Sequence, residues 1–344
     1  MQTKALVLNA PRDLTIQEVA LPPLTGKDVL IRVKACGVCG TDLHLFHGDQ
    51  GAFESSYPLI MGHEMAGEIV EVGCEVHTLA PGDHVAVDPN IYCGTCAPCR
   101  RGDVHYCENM IGIGTTERGG FAEYCIVPER AAYLVPRDLP FEYAAMMEPI
   151  SCCLHGLDRS AVRPGDTLVL VGFGAIGQIM FQLGELAGAA RIIVVEPVAG
   201  KREKARALGA YLAVDPVGGD LAKTLHDHGV THINSVIECV GRKDTMELAI
   251  RLATPRATVM LFGLTPPGTK LEVLAFEDIF KKELTITGSY INPLVAERVI
   301  ALMASGRLDM SKIVTDRVPL ERGVEVFTDP AYRTLGKVVI GDFP

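Results

Sequence analysis

The stretch Thr167-Leu-Val-Leu-Val-Gly-Phe-Gly-Ala-Ile-Gly177 decides the fold class of this chain of 344 residues. Its first five residues are an uninterrupted apolar run, which predicts a strand buried on both faces of a parallel sheet. Gly172, Gly174 and Gly177 follow as a GxGxxG turn, and Ile176 opens a helical pattern. A strand, a glycine turn and a helix in this order predict a turn that receives a dinucleotide pyrophosphate at a helix N-terminus.

An acidic residue stands where such a turn requires one. Glu196 lies 24 residues after Gly172, directly behind the next predicted strand, Arg191–Val195. Its carboxylate can accept hydrogen bonds from the ribose hydroxyls of an adenosine, and it would repel a 2′-phosphate. We therefore expect NAD to be preferred over NADP. The alternative interpretation is a glycine-rich turn that binds no ligand.

Strands and helices alternate through residues 151–290. Strands without polar alternation are buried on both faces, which predicts a doubly wound parallel sheet with helices on each side. The predicted strands are Thr167–Val171, Arg191–Val195, Ser235–Cys239 and Thr258–Phe262, and the predicted helices are Ile176–Ala187, Lys201–Leu208 and Thr245–Leu252.

Residues 1–150 contain many short strands separated by glycine, proline and aspartate, which favours a barrel or a sandwich. A helix is expected to begin near Pro149 and to lead out of this region. The final residues, 291–344, break the alternation, and we expect them to rejoin the first region. The predicted strands are Lys4–Leu8, Asp28–Ala35, Ala66–Val72, His84–Val87, Ala122–Val127, Ala132–Val135 and Lys337–Ile340, with a helix over Leu294–Ser305.

The composition excludes several classes of function. A length of 344 residues suits two domains, and 48% hydrophobic residues indicate a folded chain. The net charge of −10 argues against a nucleic-acid partner and against docking on anionic lipid. No signal peptide or membrane-spanning run is recognisable, so we expect a cytoplasmic protein without a membrane partner. In that reducing compartment, its 11 cysteines favour metal binding over disulfides.

Four cysteines are clustered as C-x2-C-x2-C-x7-C in a loop rich in glycine, proline and arginine: Cys93, Cys96, Cys99 and Cys107. Four thiolates at this spacing can complete a tetrahedral zinc shell, which leaves no position for a substrate and predicts a structural role. An iron–sulfur cluster is the alternative that the spacing also allows.

A second group of metal-binding residue types lies upstream, with Cys39 in Cys36-Gly-Val-Cys39-Gly-Thr-Asp-Leu-His44 and His63 and Glu64 some way behind it. A thiolate, an imidazole and a carboxylate suit an open zinc site, in which one position stays free for a substrate. By spacing alone, Cys39 and His63 could equally be core residues.

These motifs, in this order, resemble the zinc-dependent medium-chain alcohol dehydrogenases, and the resemblance covers nearly the whole chain. It implies an α/β protein with a GroES-like β-barrel catalytic domain at residues 1–150 and a C-terminal return at 291–344. It also implies a Rossmann doubly wound domain at 151–290 that binds NAD. The family further implies a homo-oligomer, either a dimer or a tetramer.

The resemblance assigns roles to the residues of the open site. Cys39 and His63 match two ligands of the catalytic zinc, whereas Glu148 stands where many members have a third cysteine. In members with this Glu-Pro pair either acid can bind zinc; we expect Glu148 as the direct ligand and Glu64 as an exchanging one. Thr41 and His44 match a proton relay to solvent. Two zinc ions per chain are therefore expected.

On the coenzyme side, Lys201 matches a position that often contacts the adenosine. Two further segments match those beside the nicotinamide: Phe262, Gly263 and Leu264, and Ser289 with Tyr290.

The implied reaction is transfer of a hydride from a secondary alcohol to NAD, which yields a ketone. The substrate would be a polyol, a sugar alcohol or a sugar acid. Ser289 stands where sorbitol dehydrogenases have an arginine, and Leu45 where they have a tyrosine, so glucitol itself is in doubt. Two alternatives remain: oxidation of L-threonine at C3, and a crystallin-like relative that binds a nucleotide without catalysis.

Overall fold

The computed structural model describes residues 1–49, 55–332 and 334–343. Its internal contacts divide the chain into two compact units, Met1–Ser151 with Asn292–Pro344 and Cys152–Ile291. The first unit is therefore discontinuous in sequence, and the second is inserted into it.

The N-terminal part of the chain is built mainly from antiparallel strands. Its strands are β1 (Gln2–Ala10), β2 (Asp13–Ala20), β3 (Asp28–Gly37), β4 (Leu59–Ile60), β5 (Glu64–Val72), β6 (His84–Val87), β7 (Asn90–Ile91), β8 (Ile111–Gly112), β9 (Tyr124–Pro128) and β10 (Ala132–Leu134). Its helices are α1 (Gly40–His47), α2 (Ala97–Arg100), α3 (Phe141–Ala144) and α4 (Met147–Ser160).

The middle of the chain forms a six-stranded parallel sheet in the order β13-β12-β11-β14-β15-β16. Its strands are β11 (Thr167–Val171), β12 (Arg191–Val195), β13 (Leu212–Val214), β14 (Ser235–Glu238), β15 (Thr258–Leu261) and β16 (Thr285–Gly288). Its helices are α5 (Ala175–Leu186), α6 (Ala199–Ala207), α7 (Leu221–Asp227), α8 (Lys243–Leu252) and a π-helical turn at Ala275–Phe280. The apolar central strands and the helices packed on them form the core of this unit.

The C-terminal part returns to the first sheet. It contains α9 (Ala296–Ala304), β17 (Val314–Pro319), α10 (Gly323–Thr328) and β18 (Lys337–Gly341). Strand β18 pairs antiparallel with β3, which also pairs with β5 and β9. Because β3 is an apolar strand of 10 residues with neighbours from distant parts of the chain, it forms the centre of this unit.

The hydrophobic pattern predicted the buried elements well. The strands His84–Val87, Thr167–Val171 and Arg191–Val195 have the predicted bounds, and the other predicted elements differ by at most two residues at either end. Seven observed strands were not predicted: β2, β4, β7, β8, β13, β16 and β17. Within the described residues, β2 pairs only with β1 and exposes most of its side chains. An edge strand of this kind has few apolar residues to mark it.

Candidate functional site

Strand pairing brings three potential metal ligands together in the first unit. Gly37, the last residue of β3, lies opposite Glu64, the first residue of β5. Cys39 follows β3 by two residues and precedes α1, and His63 directly precedes β5. One donor atom from each of Cys39, His63 and Glu64 lies within 4.8 Å of the other two.

A buried aspartate orients the histidine of this group. Asp42 accepts a hydrogen bond from the Cys39 backbone N–H at 2.7 Å through Oδ2, and its Oδ1 lies 3.5 Å from Nδ1 of His63. Burial lowers the pKa of His63, but Asp42 and Cys39 outweigh it, so the pKa is raised well above its usual value. With Nδ1 turned towards Asp42, Nε2 is the nitrogen left to bind a metal. The sequence interpretation missed Asp42, although its place in the first turn of α1 was a signal.

A buried ion pair holds the carboxylate of the group. Nζ of Lys337, the first residue of β18, lies 2.5 Å from Oε1 of Glu64 and 3.1 Å from the carbonyl oxygen of Val38. Burial lowers the pKa of Lys337, but the charges of Glu64 and Cys39 more than compensate and raise it. Sequence reasoning also missed Lys337, because 273 residues separate it from Glu64.

These residues fit a bound cation. Oε2 of Glu64 is buried and has no hydrogen-bond partner within the described residues. Buried polar atoms without partners are costly, and a metal ion beside a thiolate, an imidazole and a carboxylate would remove part of that cost. A side chain on Gly37 would strike Oε2 of Glu64, so the glycine leaves room for this carboxylate.

Three other predicted residues lie near this group without joining it. Glu148, in the first turn of α4, is buried and close enough to contribute to the raised pKa of Lys337. Among the residues that the structure describes, however, the close metal-binding group contains Glu64 and not Glu148. The thiol of Cys39 lies 3.9 Å from the Thr41 hydroxyl, and the ring of His44 lies 3.5 Å from the Asp49 carboxylate.

The four loop cysteines also come together, each with a sulfur within 4.8 Å of the others: Cys93, Cys96, Cys99 and Cys107. The side chain and backbone of Thr95 donate hydrogen bonds to Cys93 and lower its pKa to about 5. Burial and neighbouring thiols instead raise the pKa of Cys99 to about 12. Four adjacent sulfurs do not all ionise without a cation between them, so this loop fits a closed metal site.

In the second unit, the three glycines of the GxGxxG turn have different geometric reasons to lack a side chain. Gly172 has a φ of 96°, which favours glycine. A Cβ on Gly174 would enter open space in front of α5, where a ligand can approach the backbone. A Cβ on Gly177, which follows Ile176 in α5, would strike the carbonyl of Gly172. This geometry fits a dinucleotide pyrophosphate.

Glu196 is buried, and its carboxylate accepts hydrogen bonds from two backbone N–H groups. Phe173 donates to Oε2 at 2.8 Å and Val198 to Oε1 at 2.9 Å. Arg202 donates to the carbonyl oxygen of Glu196 and pairs with Asp215 at 2.9 Å. The sequence interpretation named the neighbouring Lys201, which lies half-buried on α6, and missed Arg202.

The other predicted coenzyme residues lie behind neighbouring strands of the same sheet. Phe262, Gly263 and Leu264 follow β15, and Ser289 and Tyr290 follow β16. The Ser289 hydroxyl is buried and has no hydrogen-bond partner in the described part of the chain. In open parallel sheets, ligands bind at the carboxyl ends of the strands, so these segments lie on the expected edge.

Comparison with protein families agrees with both halves of this description. Residues 25–137 match the model of the alcohol dehydrogenase GroES-like domain, and residues 175–305 match that of the zinc-binding dehydrogenases. D-arabinitol dehydrogenase 1 of Uromyces fabae is 32% identical over 98% of this chain and 97% of its own length.

The chain belongs to the zinc-dependent medium-chain dehydrogenase family. It is an oxidoreductase with polyol and threonine dehydrogenases among its relatives. L-threonine 3-dehydrogenase of Pyrococcus abyssi is 34% identical over 94% of this chain and 93% of its own length. A Sinorhizobium meliloti protein described as a zinc-binding dehydrogenase, solved with bound NADP, has a TM-score of 0.94 and 38% identity over 99% of both chains.

These comparisons establish zinc and a nicotinamide coenzyme as the cofactors of this dehydrogenase and confirm the predicted fold class. Within the described residues, every helix is too short or too polar to cross a bilayer.

Replacing Lys337 by methionine tests the buried ion pair. We expect the metal-free variant to lose about 3 to 5 kcal/mol of unfolding free energy, because the Glu64 carboxylate is left without a counter-charge. Zinc offers Glu64 another cation, so the rise in melting temperature on adding zinc should be larger in Lys337→Met than in the wild type. Chemical unfolding and thermal melting with and without zinc measure both effects.

Lys34→Met is the matched control. It breaks another lysine–carboxylate pair of the same unit, in which Lys34 and Asp342 lie 2.7 Å apart at the surface. An exposed pair contributes about 1 kcal/mol or less, so this variant should resemble the wild type with and without zinc. Equal stability losses in the two variants would contradict a special role for Lys337.

Proposed function

We propose that this dehydrogenase oxidises a secondary alcohol of a polyol, a sugar alcohol or a sugar acid to the ketone, with NAD as hydride acceptor. The observation that carries the proposal is the group of Cys39, His63 and Glu64. It offers a cation one thiolate, one imidazole and one carboxylate oxygen that has no hydrogen-bond partner among the described residues. A donor set of three leaves a coordination position for a substrate oxygen. The similarity to an arabinitol dehydrogenase supports a polyhydroxylated substrate.

The residues around this group have separate tasks in the proposed reaction. When bound, zinc supplies a Lewis acid that lowers the pKa of the alcohol, and NAD supplies the hydride acceptor. Asp42 fixes the orientation of the His63 ring, and Lys337 fixes one oxygen of Glu64. Thr41 and His44 lie on one face of α1, where the hydroxyl and the imidazole can pass a proton towards solvent.

We propose that Glu64 is the direct carboxylate ligand and that Glu148 acts from a greater distance, which reverses the preference expected from the sequence. Glu64 lies with Cys39 and His63, and one of its oxygens has no hydrogen-bond partner in the residues that the structure describes. Glu148 contributes negative charge beside Lys337. With the four-cysteine loop holding a second ion, the chain would bind two zinc ions.

Zinc content distinguishes the two carboxylates. We expect about two zinc ions per chain in the wild type and in Glu148→Gln, and about one in Glu64→Gln, which loses an anionic oxygen ligand. Mass spectrometry of the metal content measures this number, and the ion of the four-cysteine loop serves as an internal reference for folded protein. Loss of one zinc from Glu148→Gln alone would contradict the assignment.

NAD is the proposed coenzyme. The carboxylate of Glu196 lies at the end of β12, where it would repel a 2′-phosphate, and the nearby Arg202 is already paired with Asp215. The Sinorhizobium meliloti relative was solved with NADP, so the preference for NAD depends on residues of this chain and not on the family.

Glu196→Ala tests this preference. Since Glu196 also accepts the Phe173 N–H that shapes the glycine turn, we expect the KM for NAD to rise roughly tenfold, the equivalent of one hydrogen bond to a charged group. The NAD-to-NADP ratio of kcat/KM should fall because the repulsive charge is gone. Glu203→Gln, an exposed position on α6, is the matched control and should keep both values. An unchanged ratio in Glu196→Ala would remove Glu196 from coenzyme selection.

Oxidation of L-threonine at C3 is the second candidate function, favoured by the 34% identity to a threonine dehydrogenase. Reduction of NAD and of NADP, followed at 340 nm with polyols, sugar acids and L-threonine, separates the two. We expect turnover with a polyol or a sugar acid; turnover with L-threonine alone would replace the first proposal by the second. No turnover with any alcohol by zinc-loaded protein would favour the crystallin-like alternative.

The homo-oligomer, dimer or tetramer, and the cytoplasmic location stay predictions. In support of an oligomer, Phe276 and Phe280 stack at 5.6 Å with both rings largely exposed, shortly before β16 at the end of the sheet. An exposed apolar surface of this kind is typical of a subunit interface.

A further inference from the structure

A second buried carboxylate, besides that of Glu196, lies at the proposed coenzyme edge of the parallel sheet. Glu238 is the last residue of β14 and is fully buried. Its Oε1 accepts hydrogen bonds from the N–H of Val240 at 2.8 Å, the N–H of Gly241 at 2.9 Å and the hydroxyl of Thr245 at 2.7 Å. The carboxylate therefore fixes the turn of residues 239–242 between β14 and α8.

Strand register places this carboxylate beside the glycine turn. Val171, Glu238 and Leu261 are partners across the neighbouring strands β11, β14 and β15. The carbonyl oxygen of Glu238 also accepts hydrogen bonds from the N–H groups of Phe262 and Gly263, both at 3.0 Å. Glu238 thus contacts the turn behind β14 through its side chain and the segment behind β15 through its backbone.

Close glycine contacts join these loops to each other. A Cβ on Gly263 would lie 2.7 Å from Oε2 of Glu238, and one on Gly172 would lie 2.5 Å from Cγ2 of Val240. A Cβ on Gly241, whose φ is 82°, would strike the carbonyl oxygen of Leu264. A shift of the 239–242 turn would therefore displace both the glycine turn and the segment 262–264.

The carboxylate of Glu238 is held by hydrogen bonds. Within the described residues no lysine, arginine or histidine pairs with it, and its partners are N–H and O–H donors in the first turn of α8 and just before it. These hydrogen bonds require an acceptor oxygen at the position of Oε1.

We infer that Glu238 is a positioning residue for the coenzyme, which holds the loops at 172–174, 239–242 and 262–264 in the shape that receives it. The inference rests on the proposed function, because it takes these loops as the coenzyme site. Loops that are already ordered lose less conformational entropy on binding, so removal of the Glu238 oxygen weakens coenzyme affinity. The quantity that reports this role is therefore the affinity for the coenzyme, measured directly as the Kd for NADH.

Two conservative variants separate the position of the oxygen from its charge. Glu238→Asp keeps the charge but withdraws the oxygen by one methylene group. Glu238→Gln loses the charge but can keep an oxygen at the position of Oε1, with its amide group in place of Oε2. We expect the Kd for NADH to rise about tenfold in Glu238→Asp and at most about threefold in Glu238→Gln, as for the loss of one or two hydrogen bonds.

The measurement is NADH binding to zinc-loaded protein by calorimetry and by NADH fluorescence, which no tryptophan disturbs because the chain has none. Hydrogen exchange without coenzyme supplies a second readout: the amides of Val240 and Gly241 should exchange faster in Glu238→Asp. Val236→Ala is the matched control, since it removes buried volume from the same strand away from the loops. It should lower the melting temperature and leave the Kd within about twofold.

Three results would overturn the inference: an unchanged Kd in Glu238→Asp, equal weakening in Glu238→Gln, or equal weakening in Val236→Ala. A wild-type protein that binds neither NADH nor NADPH would refute the proposed function itself. Wild-type binding together with unaffected variants would refute only the role of Glu238.

Discussion

The buried carboxylate of Glu64 is the group that the arrangement of the candidate metal site in the first unit depends on. One of its oxygens is held by Lys337 from the last strand, and the other lies beside Cys39 and His63. Buried charges are costly unless they are paired, so this carboxylate links the end of the chain to the candidate metal site. Lys337 on β18 supplies the cation that pairs with Glu64. The return of the chain to the first unit is therefore favoured by electrostatics as well as by packing.

The second unit also contains buried carboxylates, but it stabilises them with hydrogen bonds from the backbone. Glu196 and Glu238 are buried carboxylates at the carboxyl ends of β12 and β14, and in both cases backbone N–H groups serve as partners. Such bonds stabilise the charge and at the same time fix the conformation of the loops that donate them. In the loops that we propose to bind the coenzyme, these hydrogen bonds are formed in the structure without a ligand. Glu64, by contrast, keeps one oxygen that has no hydrogen-bond partner in the described part of the chain, which suits a site that binds a cation.

The accuracy of the sequence predictions follows the type of information that each needed. The buried strands β6, β11 and β12 were predicted to the residue, because a strand between two apolar layers must itself be apolar. The edge strand β2 was missed, because its exposed face has no such constraint. Among the candidate site residues, Cys39 and His63 were named from their residue types and from the family resemblance, whereas Asp42 and Lys337 belong to types that are common throughout a protein surface.

Residue order was enough to predict the features whose residues lie close together along the chain. These are the GxGxxG turn between strand and helix, the four-cysteine loop, and the apolar strands that specify a parallel sheet. Three contacts became known from the folded chain alone: Glu64 rather than Glu148 lies with Cys39 and His63, Lys337 pairs with Glu64, and Glu238 contacts two loops. The physical reason is distance along the chain: such contacts arise from strand register and close glycine packing, which leave no local pattern in the sequence.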